Sequence, residues 1–240
     1  MKFKKLILVT IICLNYGCSS NDSQNTETPT SNLPIFNPNI TYGVVTDIDG
    51  TNYKTVQIGT QTWMAENLNV TRYRNGDPIP EVQDNTQWSN LLTGAWCNNS
   101  NNPENGLLYR KLYNWYTVND SRNLAPIGWH IPTDAEWTIL TNYLGGESVA
   151  GGKLKEIGLT HWKSPNTNAT NESGFTALPG AYRHNLGDFS PITGIGGDWW
   201  SLTSGSPSQA WSRYIHNDQS SMEKSLANKK IGYSVRCIKD

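Results

Sequence analysis

Charged side chains are scarce in this sequence, at 16% of 240 residues, while glycine is plentiful at 21. Little charge beside much Gly and Asn excludes a mainly helical domain and points to turns and loops. Metal chemistry is as poorly provided for. There is no Cys-x-x-Cys pair, and His130, His161, His184 and His216 stand singly along the chain, so no zinc spacing arises. Gly-x-Ser-x-Gly, His-Glu-x-x-His and a glycine-rich phosphate loop are missing, which removes the usual marks of several enzyme classes. No internal repeat and no second linker is visible, and no apolar run is long enough to span a bilayer.

What is present begins with a leader. Lys2, Lys4 and Lys5 precede the apolar run LILVTIICL, residues 6–14, followed by NYGC. A basic start, a short apolar core and a small residue before a cysteine read as a signal peptide over residues 1–17. The layout is similar to that of bacterial lipoprotein signals, with Cys18 as the acylated residue and several acyl chains as a stable anchor. Asn15 stands where such signals usually carry Leu, so an ordinary cleaved signal is the alternative. Either way the protein is expected to be exported. The expected location is the bacterial cell envelope, lipid-anchored at the outer membrane and facing the periplasm or the surface.

Cleavage removes three of the 19 basic residues against 20 acidic ones, leaving a formal charge of −4. That balance argues against nucleic acid as a partner. Residues 18–40 are Ser, Asn, Thr and Pro with few apolar side chains until LPIF, and are expected to form a disordered tether. Residues 41–240 then make one domain. Its core must lean on 10 Trp and 11 Tyr, which bury large areas and carry a polar handle. Loops held by such anchors usually present a surface.

Within the domain Cys97 and Cys237 remain. In an oxidising compartment the simplest expectation is a disulfide, closing a loop of roughly 140 residues for about 4–5 kcal/mol. Two buried free thiols are the alternative. GVVTDIDGTNYKTVQIGTQTWMAENL alternates around DGTN and predicts a β-hairpin, its DxDG serving turn chemistry rather than calcium. Residues 107–119, LLYRKLYNWYTVN, have helical spacing. In 133–144 Thr133 and Glu136 form a capping box, Asp134 sits at the favourable end of the dipole, and Gly145 stops the helix. Ala135, Ile139, Tyr143, Leu140 and Leu144 are expected to be its apolar stripe. The capping box accounts for the acids in GWHIPTDAEW. His130 is then read as a hydrogen-bonded packing residue, and Trp129 and Trp137 as joints to a sheet. From Phe175 on, FTALPGAYR, DWWSLT, AWSRYIH and KIGYSVRCIK read as short antiparallel strands. The fold class is α+β.

VTDIDGTNYKTVQIGTQTWMAENL, GAWCNN, KLYNWYTVND, LAPIGWHIPTDAEW, GFTALPGAYR, DWWSLT and GYSVRCIKD together resemble the Fibrobacter succinogenes major paralogous domain family over about residues 43–240. Such proteins are typically exported lipoproteins of poorly defined function. IPTDAEW with the terminal G-aromatic-x-V-R also resembles, more distantly, segments of formylglycine-generating enzymes. That group implies a C-type lectin-like fold, with two short helices, small twisted antiparallel sheets and long irregular loops.

The resemblance implies a binding or adhesion module whose late loops face a glycan or protein at the cell surface. The residues expected there are Trp199, Trp200, Trp211, Arg213, Tyr214, His216 and Asn217. Rings beside short polar groups suit such a ligand. The plain alternative makes the tryptophans core and moves the face elsewhere, for instance to the Asn-rich loop at 97–106. Glu-Pro-Asn, Gln-Pro-Asp and Trp-Asn-Asp do not occur, so calcium-dependent sugar binding is not expected, and neither a cofactor nor a metal is. Catalysis like that of the formylglycine-generating group needs a close pair of redox-active cysteines, which Cys97 and Cys237 do not supply. The chain is therefore not expected to be an enzyme. A structural envelope component without a soluble ligand is the third reading.

Overall fold

The first hairpin forms where the alternation places it. In the computed structural model, which describes residues 33–240, β1 (Gly43–Thr46) and β2 (Asn52–Ile58) pair antiparallel with Val45 opposite Tyr53. Asp47 Oδ1 accepts from the amides of Asp49 and Thr51 at 2.8 and 2.9 Å, so DIDG is a side-chain-stabilised turn. The leader, Cys18 and the tether as far as residue 32 lie outside the described residues.

Residues 33–40, assigned to the tether from composition, instead belong to the domain. Phe36, Ile40 and Tyr42 pack against the core, the Ile35 amide donates to Glu156 at 2.5 Å, and Asn37 Nδ2 donates to the Asn171 carbonyl at 3.0 Å. Ile35, Phe36 and Ile40 supply the apolar area that the preceding polar stretch lacks.

β3 (Gln61–Met64), β6 (Trp129–His130) and β10 (Ile238–Lys239) complete a five-stranded sheet in the order β1-β2-β3-β10-β6. The last strand therefore lies between the opening meander and the segment that leads into α4 (Asp134–Tyr143). The capping box of α4 is present in full, with Thr133 accepting from the Glu136 amide and Glu136 bonding back. Its buried stripe is Trp137, Leu140, Thr141 and Leu144, whereas Ile139 and Tyr143 are exposed. The expected stripe is thus rotated, because the Trp137 indole packs 4.6 Å from Trp63 and fixes the inward face.

Two helical expectations change. The predicted helix over 107–119 is divided into α2 (Pro103–Leu108), β5 (Lys111–Tyr113) and α3 (Trp115–Val118). Arg110, at φ 67°, takes the left-handed conformation that breaks it, and β5 pairs with β4 (Trp96–Asn98). An unforeseen helix, α5 (Glu147–Leu154), carries two glycines of low helix propensity. A Cβ at Gly151 would stand 2.1 Å from the Ser221 carbonyl oxygen, so the glycine is what lets the helix touch that loop. A short α1 (Asn85–Ser89) caps the β4–β5 side through buried Trp88.

β7 (Gly196–Ser204), β8 (Gln209–His216) and β9 (Glu223–Asn228) form a three-stranded antiparallel sheet. The stretch expected as late loops is thus largely strand, and β9 was not foreseen. FTALPGAYR contributes isolated bridges, including Ala181 with Gly197 and Arg183 with Gly232. Adjacent residues of β7 face opposite ways: Trp199 enters one core with Trp63, Trp137 and Phe175, and Trp200 the other with Tyr233. Small antiparallel sheets with a few short helices make a mixed α and β architecture, as composition implied.

The expected disulfide is absent. Cys97 and Cys237 are both free and buried. Cys97 lies with Leu112 in a cluster that includes Trp88, on the opposite face of the β4–β5 ribbon from Trp96 and Tyr113, which share a cluster with Cys237. Side chains on opposite faces of a ribbon cannot meet the bridging geometry. Burial raises the Cys97 thiol to about 12 and the Cys237 thiol higher still, so both are inert apolar fillers.

Candidate functional site

The seven residues expected to line a ligand face separate once β7, β8 and β9 are paired. Trp199 and Trp200 are fully buried. Arg213 is also fully buried, bonded to Asp134 at 2.6 Å and Glu147 at 3.0 Å in the first turns of α4 and α5. Asn217 is buried and donates to the carbonyls of Lys163 and Ser164 at 3.2 and 2.8 Å. These four are scaffold. Trp211 is half-buried with the Lys224 ammonium 5.1 Å from its ring, on the Arg213 side of the sheet. Tyr214 and His216 are half-buried on the other side.

That other side holds an arrangement the sequence did not announce. Cross-strand register puts Asp198, Tyr214 and Glu223 directly opposite one another on three neighbouring strands, and residues so paired share a face. The Ala181–Gly197 and Arg183–Gly232 bridges bring Tyr182 alongside. Tyr182 packs edge-on to Tyr233 at 5.5 Å and to His184 at 4.9 Å, while Tyr214 lies 5.5 Å from His216. The Tyr214 hydroxyl donates to Glu223, which raises the phenol to about 12, and Glu223 also accepts from Ser221 at 3.1 Å.

Asp198 sits at the back of this frame, 7% exposed, and among the described residues its Oδ2 has no hydrogen-bond partner. Burial drives its carboxyl from 3.8 to about 7, and burial is the sole cause. Most buried polar atoms are paired, so an exception asks for an explanation. Tyr233 feels the same site, its phenol pushed well up first by burial and then by the Asp198 charge.

The competing sites are quieter. A recess of about 250 Å³ is lined by Ile48, Arg74, Leu124 and Ile127, and Arg74 there is spent on the carbonyls of Ala125, Pro126 and Trp129. A second, open recess of about 470 Å³ includes Tyr143, Lys153 and Glu172, the last two paired at 3.1 Å. In the 97–106 loop Asn99 donates to the Gly180 carbonyl and so serves the backbone. His130 bridges Glu136 at 2.8 Å and Asp240 at 2.6 Å. Burial would lower its pKa, but these bonds outweigh burial and raise it. GWHIPTDAEW is the scaffold joint that its capping box implied. Among the described residues no group of three or more His, Cys, Asp or Glu is placed to hold a metal ion.

Small antiparallel sheets, short helices and one tyrosine-framed carboxyl define a mixed α and β domain with a polar, aromatic sheet face. The family model described as Fibrobacter succinogenes major domain matches residues 56–239, and the chain belongs to that family. No curated protein and no solved structure matches it.

Proposed function

We propose that the protein is an exported lipoprotein, anchored through Cys18 in the bacterial cell envelope, whose domain is a non-catalytic binding module for a glycan or protein ligand. The observation that carries the binding reading is the half-buried set of Tyr214 and His216 on the sheet face of Asp198, with Tyr182 and His184 alongside, beside an Asp198 oxygen that has no partner among the described residues. Flat rings stack on the apolar faces of sugars or side chains while the polar group behind them fixes orientation. The basic leader, the apolar core and the small residue before Cys18 support the anchor. We read the fold as C-type lectin-like. In support, Ile131 of the first segment that resembles the formylglycine-generating group shares one core cluster with Tyr233 and Val235 of the second, and the strands flanking the two segments pair, Trp129 with Lys239 and His130 with Ile238.

The test is a combined glycan and peptide array probed with the full chain. Tyr182→Ala and Tyr214→Ala should each lower the array signal about tenfold while circular dichroism shows both variants folded at the assay temperature. Retention of full signal in both variants would refute this face, and an array with no retained ligand would refute the binding reading. For the anchor, Cys18→Ala should move the protein from the detergent phase to the aqueous phase. Equal partitioning would rule out lipidation.

A further inference from the structure

Asp198 is a buried carboxyl that has no counter-charge among the described residues and holds its proton up to about pH 7 unless a cation pairs with it. Burial alone moves its titration, with no cation among the described residues contributing. Apart from His184 and His216 at the rim, the residues around it are acids and phenol rings. Glu223 stands two strands away on the same sheet face, and the Tyr214 ring lies between the two acids. Tyr182 and Tyr233 add two more rings, whose faces carry partial negative charge. Lys224 pairs with Arg213 and is therefore on the opposite face. A buried anion is strongly disfavoured unless paired, and rings in this number favour a cation over their faces. A neutral hydroxyl donor would satisfy the oxygen but leave the charge uncompensated. A divalent metal lacks its ligand set among the described residues.

We propose that this face receives an ammonium group of the ligand, an amino sugar or a lysine side chain, with Asp198 as its counter-ion and Tyr182, Tyr214 and Tyr233 as its walls. This rests on the binding-module reading and adds the chemistry of the recognised group. Both sources share the same ammonium, and Tyr182 and Tyr214 are the half-buried members of the frame while Tyr233 is buried.

The experiment is a calorimetric titration of the full chain with two matched pairs: glucosamine against N-acetylglucosamine, and Nα-acetyl-lysine amide against its Nε-acetylated form. Acetylation removes the charge and keeps most of the shape. At least one amine should bind more than tenfold tighter than its acetylated partner, and which pair responds identifies the source. Asp198→Asn should erase that preference. The comparison within the wild-type protein needs no variant to fold, so it stands if Asp198→Asn does not. Equal binding of both members of each pair, or no binding by either amine, would overturn the ammonium assignment, as would a preference that survives Asp198→Asn. If the array retains neutral ligands while the amines fail, the ammonium assignment alone is lost. If the array is blank as well, the binding-module reading falls with it.

Discussion

Arg183, Arg213 and Arg236 are each buried, and each spends its guanidinium on groups far apart in sequence. Arg236 donates to the carbonyls of Met64, Phe175 and Thr176. Arg183 donates to those of Val82, Gln83 and Gly187. A planar fork of donors ties loops whose carbonyls lack ladder partners. Arg213→Ala should lower stability by about 3 kcal/mol, the lower end for a broken buried pair because Glu147 remains half in water. Thermal unfolding checks this, and a loss under about 0.5 kcal/mol would mean the pairs contribute nothing. Asp198 gives a pH signature. Its folded carboxyl keeps the proton between 3.8 and about 7, where the unfolded chain has released it. The stability from this group is thus complete below that window and is lost as pH rises through about 7. Glu223, Tyr182, Tyr214 and Tyr233 face it, with His184 and His216 at the rim. Asp198→Asn should therefore gain in melting temperature relative to the wild type between about pH 4 and pH 8, and a difference that does not change with pH would contradict the raised pKa. Tyr214 and His216 were legible in the sequence as ring and polar neighbours. Asp198 was not, since a missing partner is visible only after three strands are placed in register.

At the scale of elements, local chemistry was readable wherever it was self-contained. Thr133 and Glu136 fix the start of α4 by bonds within one turn, and Asp47 closes its own hairpin. Thr133→Ala should cost about 1 kcal/mol of stability by thermal unfolding, and no loss would mean the cap is redundant. Elements decided by distant contacts were not readable. α5 forms because Gly151 lets it lie on the Ser221 backbone, and β9 forms because β8 offers it a partner edge. Helical spacing in 107–119 was overridden by pairing of β5 with β4 and by Arg110 at φ 67°. Late apolar runs were correctly read as antiparallel strand material in β7 and β8, yet their length turned the expected loops into sheet and carried Trp199 and Trp200 inside.

For the whole molecule, two aromatic cores meet across β7, and the sheet built on that strand carries the face of Asp198, Tyr214 and Glu223. The cysteines take no part in holding this together. Unfolded without reductant, Cys97 and Cys237 should both react with a thiol reagent, while in the native protein neither should. Oxidised cysteines after unfolding would restore the bridge. The central claim, that the Asp198 face binds the ligand, is tested most directly by hydrogen exchange of the full chain with and without the tightest array ligand. Protection is expected in 181–184, β7, β8 and β9, around Tyr182, Asp198, Tyr214 and Glu223. Protection confined to the recesses at Ile48 and Tyr143, with this sheet unchanged, would contradict it.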